Sequence, residues 1–240
     1  MNLLIGIDDT DNLESRGTGF RVRQLMNWLD ENELAIPKGI TRHQLLVDPQ
    51  IPYTSHNSSA CMAVETENAE DVWEACREYL LRESALGSDA GLCLAQWEFV
   101  TEDVMVFARR AKLEVLTMRE AEQTASDSGM RLAGLTGTGG GIIGALAGVG
   151  LHRAGEDGRF LWLPGLRELS GAYPVAQICS TSHIDRVCTL EGADLTPETL
   201  VDLGEWVRPV LRNGKSTLFV EEQNHEWHIL SKDRIKNLSN

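Results

Sequence analysis

Apolar residues follow two rhythms along this chain, and both appear within its first thirty positions. Leu3-Leu4-Ile5-Gly6-Ile7 is a continuous apolar run of the kind found in a strand buried on both faces, and it stops abruptly at Asp8-Asp9-Thr10-Asp11-Asn12. From Phe20 onward, Val22, Leu25, Met26 and Leu29 fall at helical spacing. The pattern predicts a strand, an acidic loop and a helix. In open α/β sheets ligands sit beyond the carboxyl ends of strands, where this loop would lie.

Further strands are expected at 44–47 and 60–64, separated by a Pro-rich and polar loop at 48–59. Asn68 is placed to cap a helix carrying Val72, Ala75, Cys76, Tyr79 and Leu80; 92–97 reads as a strand, and another helix starts near Val104. A polar break at 124–128 precedes the run Gly134-Leu135-Thr136-Gly137-Thr138-Gly139-Gly140-Gly141, after which 142–153 looks helical. Beyond it, strands are expected near 175–179, 186–190 and 217–220, with a helix capped around Thr196. Asn213-Gly214 signals a hairpin between 209–211 and 217–220. The order predicts an α/β fold with an α+β insertion: a discontinuous nucleotide-binding domain at 1–55 and 120–240, and a smaller domain of ferredoxin-like order at 56–119.

Composition narrows the function classes. The 240 residues, 42% hydrophobic, suffice for one large domain or two modest ones, and the formal net charge is −14. Lys and Arg form no block, so tight autonomous nucleic-acid binding is disfavoured, although a local basic groove can hide inside an acidic average. Five scattered cysteines offer neither a disulfide framework nor a zinc ribbon. No leader is expected at the N-terminus, and the longest apolar stretch, 142–151, is too short to span a bilayer. A cytoplasmic, membrane-free location is the expectation.

The candidate chemistry lies in two places. Mg²⁺ takes carboxylate and water oxygens, commonly one or two carboxylates with substrate phosphates completing its shell, and Asp8, Asp9 and Asp11 at a strand end provide such ligands. In an extended segment Asp9 and Asp11 face one side and Asp8 the other. An EF-hand beginning at Asp9 fails, because Glu14 and Phe20 stand where Gly and Glu are required. A haloacid-dehalogenase-like phosphatase stays open on Asp9-Thr10-Asp11-Asn12-Leu13, one residue type short of the pattern. Thr18, between Gly17 and Gly19, is either a helix cap or a hydroxyl that ligates Mg²⁺ or accepts a phosphoryl group; the flanking glycines and Thr10 would border phosphates at a helix N-terminus. The second place is the glycine run. Gly139-x-Gly141-x-x-Gly144-Ala145 matches the dinucleotide fingerprint in form, but a convincing preceding strand and the later acid are missing, and the Walker Lys-Ser/Thr pair is absent. What remains is that Gly137, Thr138, Gly139, Gly140 and Gly141 could offer N–H groups to an anion, while Gly144 and Gly148 read as close packing. His43 with Arg42 could face an anion, though an ordinary surface role fits at least as well; His183 and Asp185 could pair without catalysing anything, and Lys215 after the hairpin Asn-Gly reads as solvated, although a hairpin tip can reach phosphates.

Three ordered blocks carry a family resemblance: Ile5-Gly6-Ile7-Asp8-Asp9-Thr10-Asp11-Asn12 with Thr18 beyond it, Asp48-Pro49-Gln50-Ile51-Pro52-Tyr53, and the helix from Gly141 to Gly150. Together they resemble the archaeal tRNA-isoleucine agmatidine synthetase family over the amino-terminal two-thirds of the chain. The resemblance implies an unusual ATP-binding kinase domain, which in that family phosphorylates the carbonyl oxygen of a tRNA cytidine before agmatine replaces the oxygen. It implies Asp8, Asp9 and Asp11 around Mg²⁺ and the ATP phosphates, Thr18 at the family's autophosphorylated threonine, and Gly137 to Gly141 near the nucleotide. Thr18-Gly19 replaces two successive threonines, and His56-Asn57-Ser58 an Arg-Gly-Asn-like segment. No counterpart is expected for the OB-fold and zinc ribbon that grip tRNA, so ATP chemistry carries over and the tRNA substrate does not. The expectation is an Mg–ATP-dependent phosphoryl transferase acting on a small molecule or an RNA base. The alternative is a noncatalytic nucleotide sensor, or a subunit working with a partner or a second copy of itself.

Overall fold

A strand buried on both faces needs partners on both edges, and β1 (Asn2–Asp8) has them. In the computed structural model, which describes residues 1–53 and 56–238, β1 pairs antiparallel with β3 (Ser58–Glu65) on one side and β4 (Gly91–Gln96) on the other. Thr54 and Ser55, in the loop expected at 48–59, lie outside the described residues, as do Ser239 and Asn240. β2 (Ile36–Gln44) pairs antiparallel with the far edge of β3. With α1 (Thr18–Glu31) and α2 (Ala69–Glu83), the chain order is β1-α1-β2-β3-α2-β4 and the sheet order β4-β1-β3-β2. This is the ferredoxin-like arrangement.

Its extent differs from the expected insertion. β1 and α1 belong to it, while 56–119 supplies the strands that flank β1 rather than a separate unit. The neighbours of β1 are antiparallel, so the parallel sheet behind the ligand rule is not what places the site here.

The sheet continues past both edges. β5 (Arg131–Gly134) joins β4, and β6 (Arg159–Trp162) joins β2. Beyond β6 come β10 (Val210–Arg212) and β11 (Lys215–Gln223), with β8 (Arg186–Cys188) parallel to β11. β12 (Glu226–Ile229), β9 (Leu200–Asp202) and β7 (Ala172–Pro174) complete the far end. Alternation along β1 sends Leu3, Ile5 and Ile7 into a core under α1 and α2. Leu4 enters a second core, under α3 (Glu102–Arg110), α4 (Met118–Asp127) and α5 (Ile142–Ala154). Each such buried aliphatic side chain contributes roughly 1.5–3 kcal/mol.

Several expected elements shift. The strand expected at 44–47 lies upstream as β2; Leu45 and Leu46 instead donate to the carbonyls of Asn57 and Ala111. The supposed break at 124–128 falls largely within α4, which a Thr117–Glu120 capping box starts and buried Ala121 and Ala125 anchor. Residues 175–179 belong to α6 (Val175–Thr181), not a strand; Pro174 stands at its N-cap. Thr196 heads a turn closed by the Thr199 N–H, with no helix after it. The hairpin forms as expected, with Asn213 and Gly214 both at positive φ, 50° and 69°. Among the described residues no helix is long and apolar enough to cross a membrane.

Candidate functional site

β1 ends between the first turns of α1 and α5. Asp9 adopts φ of 52°, a left-handed conformation that turns the chain out of the strand, so the extended alternation of Asp8, Asp9 and Asp11 does not hold. The loop is then pinned. Asn12 Oδ1 accepts the N–H groups of Glu14 and Ser15, and the Ala85 N–H donates to the Thr10 carbonyl.

Thr18 is not the cap of α1. Gly17 holds that position, and Thr18 is the first helical residue, buried, with its hydroxyl turned back to the acidic loop. Thr18 Oγ1 donates to Asp11 Oδ1 at 2.8 Å and accepts from the N–H and hydroxyl of Thr10, both at 3.2 Å. The Thr18 N–H also points to Asp11 Oδ1, at 3.2 Å. A hydroxyl held this way beside a carboxylate has the geometry for losing its proton.

Asp8 points to the other helix. A Cβ on Gly144 would overlap the Asp8 carboxylate, and one on Gly148 would crowd Ser59 Oγ, so the two glycines do serve close packing, but Gly144 makes room for an acid. Burial, the largest influence, pushes the Asp8 carboxyl well above the usual carboxylate range; the Asp9 N–H opposes this, Asp9 and Asp11 add to it, and Arg42 opposes it.

The glycine run itself is mostly closed to a ligand. The N–H of Thr138 goes to the Asp89 carboxylate, that of Gly139 to the Thr136 carbonyl and that of Gly141 to the Asp89 carbonyl. Gly137 and Gly139, at φ of 55° and 76°, do not line the cleft, whereas Thr138, Gly140 and Gly141 do. Asp89 is the residue that sequence reasoning missed. It sits in a Ser-Asp-Ala turn with no periodic signal, 80 positions from its neighbour in space, Asp9. Asp9 is pushed up to about 6 by burial first, then by Asp89 and Asp11.

These groups close one end of a cleft of about 320 Å³. Leu45, Ile51, Leu116 and Ile143 give it an apolar wall, while Arg42, Asn57 and Ser58 stand at its polar side. Of Arg42 and His43, either of which could face an anion or solvent, Arg42 lines the cleft and donates to Ser58 Oγ at 3.0 Å, while His43 is fully buried on the other face of the sheet. Ser59 also borders the cleft, with its hydroxyl buried against Gly148 of α5 and without a hydrogen-bond partner. His183 and Asp185 do not pair through their side chains: Asp185 receives Ser216, whose hydroxyl also reaches the His183 carbonyl.

Among the described residues no three His, Cys, Asp or Glu side chains gather as a metal cage. The expected set of Asp8, Asp9 and Asp11 is therefore not preassembled, since Asp8 leans on α5 and Asp11 is engaged by Thr18. One or two carboxylates with room for phosphate oxygens is nevertheless the arrangement Mg²⁺ accepts, and crowded acids at Asp9 favour a cation.

No family profile matches the chain. A protein of Methanocaldococcus jannaschii, described as uncharacterized, is 28% identical over 152 residues, 62% of this chain and 49% of that protein. Among solved structures, a tRNA agmatidine synthetase in its apo form is similar at a TM-score of 0.55 and 25% identity, over 62% of this chain and 35% of the other. The complex of that synthetase with its tRNA and ATP gives 0.55 and 26%, over 62% and 36%. An enzyme described as a tRNA fluorescent labelling enzyme gives 0.56 and 27%, over 62% and 36%. This chain thus spans about half the curated relative and little more than a third of the solved chains, and the likeness is to one part of the synthetase.

Proposed function

We propose that the cleft binds Mg–ATP and passes the γ-phosphoryl group to an acceptor, with Thr18 as its first recipient. The observation that carries this reading is the Thr18 hydroxyl, 2.8 Å from Asp11 Oδ1 at the acidic end of a cleft with an apolar wall. The likeness to a synthetase solved with tRNA and ATP supports ATP-dependent chemistry of the kind used in tRNA modification. The acceptor beyond Thr18, a small molecule or an RNA base, belongs to the proposal.

The apolar wall suits a purine ring, which leaves the triphosphate toward the carboxylates and Arg42. Asp9, flanked by Asp89 and Asp11, would hold Mg²⁺ together with phosphate oxygens, with Asp8 behind it. Mg²⁺ supplies charge neutralisation on the phosphates when bound. Thr18 Oγ1 attacks the γ-phosphorus, its proton passing to Asp11; the bond to the β,γ-bridging oxygen breaks and ADP leaves with that electron pair. The start of α1 then faces the new phosphate with its helix dipole. Catalysis here is positioning plus charge compensation.

The test is incubation of the full chain with labelled ATP and Mg²⁺, followed by mass spectrometry, alongside calorimetry of ATP with and without Mg²⁺ on the parent and Asp9→Asn. Phosphate on Thr18 and a metal-dependent affinity lost in Asp9→Asn are the expected results. Equal affinity in all four titrations would sink the metal assignment. Binding with neither turnover nor labelling would leave a nucleotide sensor or a partner-dependent subunit.

A further inference from the structure

Arg42 and Arg159 stand directly opposite each other across β2 and β6, so their side chains leave the sheet on the same face. Like charges so placed destabilise a sheet. Leu161, two residues after Arg159 and hence on that face, packs in the core under α1 and lines the cleft, which identifies the face as the one α1 covers. α1 carries Arg23, one turn beyond Gly19. Arg159 also opposes Val210 on β10. Arg208, two residues before Val210, is held alongside by the bond from the Phe160 N–H to the Pro209 carbonyl, 2.8 Å, and falls on the same face. Its guanidinium lies 5.0 Å from the ring centre of Trp206. Arg167, exposed in the short turn Leu166–Glu168, closes the group.

The arginines act on one another. Burial, then Arg42, pushes Arg159 down to about 10; burial, then Arg23, Arg167 and Arg159, lowers Arg208. Elsewhere in this chain of net charge −14, Arg21, Arg110, Arg131, Arg186 and Arg234 each meet a carboxylate. Among the groups that act on Arg23 and Arg208 there is no carboxylate. Cations kept together and half-buried in this way repel one another until an anion bridges them, and planar guanidinium groups suit phosphate oxygens best.

We infer that Arg23, Arg159, Arg167 and Arg208 form a second anion site beside the cleft, which takes a phosphate ester carried by the phosphoryl acceptor. The word acceptor rests on the ATP reading of the cleft; the anion site itself does not. Arg42, at the boundary between the two, joins the acidic end of the cleft to this wall. The phosphate ester is either the terminal monoester of a small molecule or the diester of an RNA backbone, and the chemistry of the wall serves both.

The experiment uses the full chain with its cleft saturated by a nonhydrolysable ATP analogue and Mg²⁺. Uridine 5′-monophosphate and a short oligouridylate without terminal phosphates are titrated in separate arms. Binding in at least one arm is expected, and the arm that binds identifies the monoester or the diester. In Arg23→Gln with Arg208→Gln that binding weakens by about tenfold or more, the value of losing one charge-assisted contact, while the analogue binds as before. The unliganded double variant melts no lower than the parent, because repulsion has been removed. No binding in either arm, unchanged affinity in the double variant, or a lower melting temperature would each overturn the site. Failure of the analogue to bind while a phosphate ester still binds would overturn the ATP reading alone.

Discussion

At the start of α1, Gly17 leaves space; at the start of α5, Gly141 and Gly144 mark where space has been used up. A Cβ on Gly17 would find Asp11 Oδ2 3.9 Å away and nothing nearer, and the helix beyond opens to the cleft through Thr18. A Cβ on Gly141 would meet the carbonyls of Asp89 and Asp8 and the N–H of Gly91, and one on Gly144 would meet the Asp8 carboxylate. Both helices begin beside the same strand end. One turns a hydroxyl and a carboxylate to the cleft, and the other has spent its N–H groups on Asp89 and its own turn. A glycine-rich sequence is thus compatible with an open anion cradle or with tight packing, and only the partners of its N–H groups decide which.

The contrast between the two helix starts is most exposed at Asp11. Asp11→Asn keeps the shape but removes the proton acceptor of Thr18, so phosphoryl transfer should fall by about 10²–10⁴-fold while ATP binding changes little. Single-turnover labelling set beside ATP calorimetry reads the two separately; parallel losses of both would mean that Asp11 only holds the loop.

Next comes Gly144→Ala, which should destabilise the fold by about 1–3 kcal/mol through overpacking and displace Asp8. Gly17→Ala, with open room, should cost no more than about 1 kcal/mol. Urea unfolding of both variants is the measurement, and equal losses would erase the distinction between the two helix starts. Adding Asp8→Ala to Gly144→Ala should return part of the stability, since the clash is with that carboxylate.

A pH-dependent effect lies at the far end of α5. His152 is buried and its pKa is lowered to about 3, by burial first and then by His43. Thr41 Oγ1 bridges it to His43, at 2.7 and 2.8 Å, and His43 Nδ1 pairs with Asp157 at 2.9 Å. An unfolded His takes its proton near pH 6.5, so between there and about 3 the unfolded chain holds one more proton than the folded one. The stabilising contribution is complete above that window, and falls by about 1.4 kcal/mol per pH unit within it as the pH drops. Urea midpoints across pH 4–7 should show this slope in the parent and lose it in His152→Gln; a slope unchanged in the variant would assign it to another group.

Much of the scaffold was legible because periodicity reports burial directly. Leu3 to Ile7, the Val22–Leu29 spacing and Asn68 before its helix all gave elements that exist. The misread elements had weak or shared signals. Residues 175–179 are apolar enough for either state, and 124–128 looked polar because α4 exposes most of its surface and buries only alanines. At the site, Asp8, Asp9, Asp11, Thr18 and Gly141 were visible as a strand-end cluster and a helix start, and all line the cleft. Asp89 was not, and Arg42 stood out only as a cation that could face an anion. Each reaches the cleft through pairing of distant strands, which no local pattern encodes.

α5 also approaches the sheet closely wherever a glycine stands between them. Gly6 on β1 makes room for the Ala145 carbonyl where a side chain would stand, Gly148 rests on Ser59, and Gly150 leaves no gap toward Val104 and Ala108 of α3. At Gly6 strand backbone meets helix backbone directly, while Ile142, Leu146, Val149 and Leu151 pack the rest of the helix into its core. A shift of α5 at Gly144 would therefore bear directly on the Asp8 carboxylate. The acidic end of the cleft inherits its tolerances from the close contact of Gly144 with Asp8.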